Sequence, residues 1–429
     1  MKLAIVDHAL VDLNGHHYEY DGALAAAGRA RGVAVTVLAN RGYDGPTHEF
    51  EILPWFGQGY YDLTSGGRAR RAAYRALSAL PEGVARRLHS GVRIVWNQRH
   101  RRRRPVDDSF GRDFLSACEQ LALGPDDHAL VHTIGVDELD ALVDMLGTLD
   151  RPWPWIHLQL VRRVEELGAG RPRERRPEAV LARLLEGPAA GRIRFYSDTA
   201  ELAEIYRCLI DRPVGVLPIA FRHDLILAAV AAAPARVPGT PITVGYLGNA
   251  RLEKGFQHLP DLVEQVTGRL GWAGRVRFRF QSPFNIPSGE PGIGAARARL
   301  GAFPVDLVAL DDRVLTTEQY YEMLAELDVL VLPYDGQRYD IRSSGILVQA
   351  RVAGKPMVAP EGSWIARQVP APAGEAFRGP GDLADALARL LRRYEAARAA
   401  AAADALVWRA EQSPERYLDH LFAAAEVLS

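Results

Sequence analysis

Lysine is almost missing from this 429-residue chain: of its 52 basic residues only Lys2, Lys254 and Lys355 are lysine, and the rest are arginine. A skew of this kind reflects nucleotide bias in a genome and excludes no function, but it makes each surviving lysine worth placing. Cysteine is nearly as scarce. Cys118 and Cys208 have no metal-ligand spacing, cannot build a disulfide framework, and fit a reducing compartment. No stretch reaches the roughly 18 to 20 consecutive apolar residues of a membrane span. The start, MKLAIVDHALVDLNGHH, lacks a basic region followed by a long apolar run, so no signal peptide is expected. Net charge is lacking too: 52 basic against 53 acidic residues leave −1, which gives whole-molecule electrostatics no pull on nucleic acid. The expectation is a cytoplasmic protein.

What is present is ordinary globular composition, 48% hydrophobic and 24% charged, with length enough for two domains. Short β-rich runs alternate with longer helical patterns, the rhythm of βαβ units and a parallel sheet. Strands are expected at Leu3 to Val6, Val33 to Leu38, Ala129 to Ile134, Trp155 to Leu160, Ile193 to Tyr196 and Val214 to Ile219. After the Ala/Pro-rich stretch LILAAVAAAPARVPGTP the alternation restarts, with strands at Ile242 to Leu247, Val276 to Phe280, Leu307 to Leu310, Val329 to Leu332 and Pro356 to Ala359. Helices are expected from Thr199, capped by Ser197 or Asp198, and from Phe256, Thr317 and about Ser344; Thr317 is also a good cap. The expected organisation is α/β: a Rossmann-like domain over 1–225, a linker over 226–241, a second Rossmann-like domain over 242–410, and a C-terminal helix over 411–429 able to pack back on the first domain. Ser413-Pro414 supplies the start of that last helix.

Two segments carry chemistry. In ITVGYLGNARLEKGFQHLPDLVEQV a buried strand runs into a loop with Gly248, Arg251, Lys254 and Gly255. Open α/β sheets bind ligands beyond the carboxyl ends of their strands, so Arg251 and Lys254 stand where a phosphate can be reached. In VLVLPYDGQRYDIRSSGILVQARVAGKPMVAP an apolar strand ends at Pro333, and Arg342-Ser343-Ser344-Gly345 opens a helix whose free N–H groups suit an anion. The plainer alternatives are a solvated loop for the first segment and an N-cap serine for the second.

On these two segments the chain resembles GT-B glycosyltransferases, closest to the retaining glycosyltransferase family 4. That family has a loop of the form G-R-x-x-x-x-K-G, and Gly248-Asn249-Ala250-Arg251-Leu252-Glu253-Lys254-Gly255 is similar in length and ending. The resemblance implies two Rossmann-like domains facing a central cleft, an acceptor held by the first and a nucleotide-diphosphate sugar by the second. It also implies that Lys254 holds the donor diphosphate. Asn249 occupies the family's arginine position, which leaves Arg251 as the second contact, joined by Arg342, Ser343, Ser344 and Gly345. The family's two glutamates, eight residues apart, are Ile341 and Gln349 here. Gln349 is left to bond a ribose hydroxyl, Asp340 to replace the missing carboxylate, and Val314 to contact the base through its backbone.

In the first domain the resemblance marks Gly15, in the cleft loop Asn14-Gly15-His16-His17, with His16 and the strand-end His132 as catalytic candidates alongside Asp340 of the second. Each histidine has a bland reading as well, and His157 reads as a sheet residue. No G-x-S-x-G elbow is present. His128 and His132, four apart on a strand, are too far separated to share a zinc. Among carboxylate pairs, Asp107-Asp108 and Asp126-Asp127 sit in polar loops. Asp311-Asp312 follows a strand but lacks D-x-D spacing, so no essential metal and no cofactor is expected. From Arg68 to Arg104 there are twelve arginines against one acid, Glu82, with apolar residues at helical spacing. A solvated basic face and a peripheral contact with anionic lipid or a polyprenyl-diphosphate acceptor both fit; nucleic acid does not.

The expected activity is therefore transfer of a sugar from a nucleotide-diphosphate donor to a glycan, glycolipid or small-molecule acceptor, with retention. Two alternatives stay open: a nucleotide-sugar epimerase on the same fold, and a GT-B-like binding protein without catalysis.

Overall fold

The computed structural model describes residues 1–13, 16–60, 109–147, 152–168, 171–284, 289–290 and 292–426. The Arg68 to Arg104 segment, Asp107-Asp108 and Gly15 lie outside them. The chain divides into two compact units, Met1–Phe221 with Ser413–Ser429, and Arg222–Gln412.

The first unit is a seven-stranded, wholly parallel sheet in the order β3-β2-β1-β4-β5-β6-β7. Its strands are β1 (Lys2–Asp7), β2 (Ala34–Asn40), β3 (Glu51–Phe56), β4 (His128–Val131), β5 (Trp155–Gln159), β6 (Ile193–Ser197) and β7 (Val214–Val216). Leu3, Ile5, Val37 and Leu130 are buried in the core, as a parallel sheet covered on both faces requires. The first helix, His17–Ala30, lies close to β2 because Gly28 has no side chain: a Cβ there would stand 2.4 Å from Val35. The C-terminal helix, Pro414–Glu426, belongs to this unit and drives Tyr417, Leu418 and Leu421 into the same core. Tyr417 and Tyr20 both donate to Gln159 Oε1, at 3.0 and 3.2 Å, and Arg31 holds Asp419 at 2.8 Å.

The second unit is a six-stranded parallel sheet in the order β10-β9-β8-β11-β12-β13. It comprises β8 (Ile242–Tyr246), β9 (Val276–Gln281), β10 (Val308–Asp311), β11 (Val329–Val331), β12 (Met357–Pro360) and β13 (Gly374–Phe377). Of the stretch expected as a linker, residues 226–232 lie in the helix His223–Ala232 and the remainder is irregular chain of this same unit. The run of alanine and leucine favours helix until Pro234 stops it.

Both sheets reverse strand order beside their first strand, the doubly wound α/β pattern expected from the alternation. Two strands escape the sequence reading, and both are sheet edges. β3 carries Pro54, which an edge tolerates because one row of N–H groups has no ladder partner. β13 is four residues long and opens on Gly374. Caps also move by small steps. Thr199 itself caps the helix Ala200–Ile210, and Thr316, not Thr317, caps Thr317–Glu326 with Gln319 completing a capping box.

Candidate functional site

The reversal point of the second sheet lies between β8 and β11, so the loops that follow those strands meet there. Gly248 opens the first loop with φ +97°, donating its N–H to Gln281 Oε1 at 2.6 Å. A Cβ on it would stand 2.8 Å from both Lys254 Nζ and Ile346 Cδ1, so the missing side chain lets the ammonium and the start of the helix Gly345–Val352 flank the same spot. Gly255, at φ +71°, brings the end of this loop against the end of β11: a Cβ there would lie 1.7 Å from the carbonyl oxygen of Pro333. Asp335 then donates its N–H to the Glu253 carbonyl at 3.0 Å, tying backbone to backbone.

Around this tie the basic residues gather. Arg251 approaches Glu253 at 3.4 Å, Arg338 at 3.5 Å and Arg342 at 3.6 Å, while Arg342 also lies over the Tyr339 ring. Lys254 Nζ sits 5.8 Å from the Tyr334 ring centroid. Burial, reinforced by the charges of Arg251 and Arg342 and opposed by Glu253, pulls the Lys254 ammonium down from its ordinary 10.5 to about 7. Arg251 Nε is buried without a hydrogen-bond partner. Ser344 caps the neighbouring helix, its Oγ accepting from the Leu347 N–H at 3.4 Å. The structure thus joins Arg251, Lys254, Arg342 and the Ser344-Gly345 helix start, with Ser343 between them. It adds Arg338 and Glu253, which the sequence reading passed over because their charges look like those of any polar loop.

Three other expected residues, Gln349 and Val314 for the donor and Asp340 for catalysis, have different surroundings. Gln349 is 6% exposed; its Oε1 accepts from the Tyr320 hydroxyl at 2.9 Å and its Nε2 donates to that of Tyr321 at 3.4 Å. Val314 is 66% exposed on the loop after β10, at the sheet's edge. Asp340 is half-buried and accepts the Ile341 N–H on its own side chain at 2.7 Å. Asp311 and Asp312, the best sequence candidates for a metal, are paired with Arg313 and Arg297.

In the first unit the reversal point lies between β1 and β4 and collects buried histidines and carboxylates. Asp7, at the end of β1, takes His17 Nδ1 at 2.8 Å. His132 Nε2 lies 2.9 Å from Asp21 and 3.5 Å from Asp7, and its Nδ1 is 3.1 Å from Thr133 Oγ1. Burial alone would lower both histidines, but the facing carboxylates outweigh it and raise them. Burial would raise Asp7, yet the charges of His17 and His132 hold it well below the usual carboxylate range. Burial and the Asp7 charge push Asp21 up to about 7. Asp7, Asp21 and His132 are close enough to share a cation, which would have to replace the proton between His132 and Asp21.

His132, expected as catalytic, therefore has both ring nitrogens engaged by protein and is only 7% exposed. His16, also expected as catalytic, is exposed at the first helix's cap position, its ring stacked on His17 at 4.6 Å. Asp7 and Asp21 were missed; an acid ending an apolar strand (LAIVD) was the available signal. His157 is a sheet residue, bonded to His128 at 3.0 Å and Tyr196 at 3.1 Å.

No protein-family model matches the chain, and no curated protein sequence matches it. Solved structures do. A sucrose-phosphate synthase from Thermosynechococcus elongatus superposes at a TM-score of 0.64 with 15% identity, covering 100% of both chains. An α,α-trehalose-phosphate synthase (UDP-forming) from Burkholderia vietnamiensis does so at 0.65 with 14% identity, over 99% of this chain and 98% of its own. An E. coli structure described as trehalose-6-phosphate bound with UDP-2-fluoro glucose matches at 0.62 with 13% identity, over 99% of both chains. Two parallel α/β units, a helical C-terminal segment and full-length superposition together make this a GT-B fold.

Proposed function

We propose that the chain is a glycosyltransferase that moves a sugar from a nucleotide-diphosphate donor to an acceptor. The observation that carries this reading is the convergence of Arg251, Lys254 and Arg342 beside the Ser344 helix start, at the reversal point of the second sheet. A diphosphate leaving group needs its developing charge neutralised, and arginine forks, an ammonium and free helix N–H groups supply that. The donor is read by the second unit and the acceptor by the first, with no metal or cofactor required. Attack comes from the face the leaving group vacates; a diphosphate oxygen takes the acceptor's proton, and configuration is retained. The engagement of both His132 nitrogens is consistent with a reaction that asks no base of that residue.

The eight-residue loop resembles family 4, whereas the matched structures are named as sugar-phosphate synthases. The acceptor is accordingly a sugar or a sugar phosphate, and a lipid-linked acceptor met at the inner membrane face is the other option for which the Arg68 to Arg104 segment is suited. Among the described residues no helix is long and apolar enough to cross a membrane.

The decisive experiment incubates the full chain with a panel of nucleotide sugars, with and without sugar, sugar-phosphate and lipid-linked acceptors, and follows products by NMR. Transfer is expected for one donor class, and Lys254→Ala and Arg251→Ala are each expected to reduce it at least 100-fold while leaving the fold intact. Near wild-type turnover in both variants would sink the donor-site assignment. Conversion of the donor without acceptor would point to an epimerase, and donor binding without turnover to a non-catalytic protein.

A further inference from the structure

We propose that Glu253 is a resident stand-in for the donor diphosphate: a positioning residue that gathers Arg251, Arg338 and Arg342 in the empty site and gives them up when a diphosphate enters. The inference rests on the donor-site reading above and concerns how that site is kept ready.

Three observations carry it. First, one carboxylate is divided among three guanidiniums, Arg251 at its Oε1 and Arg338 and Arg342 at its Oε2, all between 3.4 and 3.6 Å. These contacts are long. Elsewhere in the chain arginine and aspartate close to 2.6 Å between Arg171 and Asp137 and 2.7 Å between Arg351 and Asp404, the range of a charge-assisted hydrogen bond. Glu253 thus points three guanidiniums at one place without closing a strong fork with any of them. Second, basic groups crowd this carboxylate: Lys254 adds a fourth, and Asp335, an exposed carboxylate beside the cluster, pairs with Arg338 at 3.6 Å. Third, Arg251 keeps a buried Nε without a hydrogen-bond partner, donor capacity that Glu253 leaves unused.

The backbone that carries this carboxylate is tied down by the Asp335 N–H on the Glu253 carbonyl and by the Gly255 approach to Pro333. An anion held in place beside the phosphate position has opposite effects on the empty and filled states. It keeps like-charged arginines from splaying apart when the site is empty, and it repels the diphosphate when the site fills. Guanidiniums in long, shared contacts are released at little cost, so exchange of partners is favoured over tight capture, which suits a leaving group that must depart each turnover.

Calorimetric titration of the full chain with inorganic pyrophosphate tests this. Glu253→Gln keeps the shape and removes the charge. Taking one unit charge about 5 Å from a diphosphate, Coulomb energy at a water-like dielectric corresponds to roughly 4-fold tighter binding, and more in a drier site. Glu253→Gln is therefore expected to bind pyrophosphate at least about 4-fold tighter than wild type, with the gain shrinking as salt is raised. A brace needed only for folding would move affinity the other way. Unchanged or weaker pyrophosphate binding in Glu253→Gln, with wild type binding normally, overturns the stand-in role and leaves the donor site standing. Absence of pyrophosphate binding in wild type, indifferent to Lys254→Ala, overturns the donor site and this role together. Should Glu253→Gln fail to fold by circular dichroism, Arg338→Gln, at an exposed position, replaces it: a loss of pyrophosphate affinity of about 3-fold or more is expected, and no loss refutes the shared-cradle geometry.

Discussion

Raising the pH from 7 to 8.5 should loosen nucleoside-diphosphate binding through a single side chain. Lys254 is held at about 7 in the empty site because its ammonium is buried beside Arg251 and Arg342. A diphosphate settling there supplies the missing counter-charge and returns it towards its ordinary 10.5. Above pH 7 the empty site carries a neutral amine and the filled site an ammonium, so binding takes up a proton and weakens as pH climbs. With those two values the affinity falls roughly 15-fold between pH 7 and 8.5, and proton uptake on binding rises from about one half towards one. Titration calorimetry in buffers of different ionisation enthalpy reads both quantities. Lys254→Arg, whose charge does not titrate in this range, should flatten the profile. The folded state has the mirror-image dependence. A lysine lowered on folding is held less protonated than in the unfolded chain, so its unfavourable contribution is present below pH 7 and is relieved as pH rises towards 10.5. Lys254→Met should accordingly be at least as stable as wild type at pH 7. An affinity constant across pH 7 to 8.5, or proton release on binding, would refute the assignment of Lys254 to the diphosphate.

Two further outcomes test the scaffold. Gly255→Ala drives a Cβ to 1.7 Å from the Pro333 carbonyl at a φ of +71°, so the tie between the β8 and β11 loops must open; about 3 kcal/mol or more of stability and most diphosphate affinity should be lost, read by urea unfolding and calorimetry. Tyr417→Ala empties a fully buried position and should cost about 3 to 5 kcal/mol, whereas Tyr417→Phe, losing the hydroxyl's bonds to Gln159 and Tyr20, should cost about 1 kcal/mol, both read by urea unfolding.

The doubly wound sheets were legible because buried parallel strands announce themselves as apolar runs: among the described residues, eleven of the thirteen strands coincide with such runs to within a few residues. β3 and β13 were not, since an edge strand needs neither a full apolar run nor freedom from proline. In the site, Lys254 and Arg251 were legible from their place in a loop after a buried strand. Glu253 was not, because a carboxylate between two cations in sequence looks like charge balance until Arg338 and Arg342 arrive from a loop some 85 residues further on. The same holds for His132. Its strand-end position advertised it, but Asp21, which occupies its Nε2, lies 111 residues earlier on the opposite side of the reversal point. Gln349 takes its expected role from the family resemblance, and a motif position cannot reveal that two adjacent tyrosines on a neighbouring helix turn both hydroxyls towards it.

The return of the chain to its first unit at Ser413 orders events during synthesis. Gln159 waits for Tyr417, 258 residues downstream, and at roughly 5 to 20 residues per second the ribosome takes about 13 to 50 s to deliver it. Through that interval the nascent first unit presents the apolar face that Tyr417, Leu418 and Leu421 will cover, while Arg222–Gln412 is continuous in sequence and can close as soon as it emerges. The segment made first is thus finished last, and a ribosome that stalls inside the final helix releases a chain with a complete second unit and an unsealed first one, a natural target for chaperones and proteases.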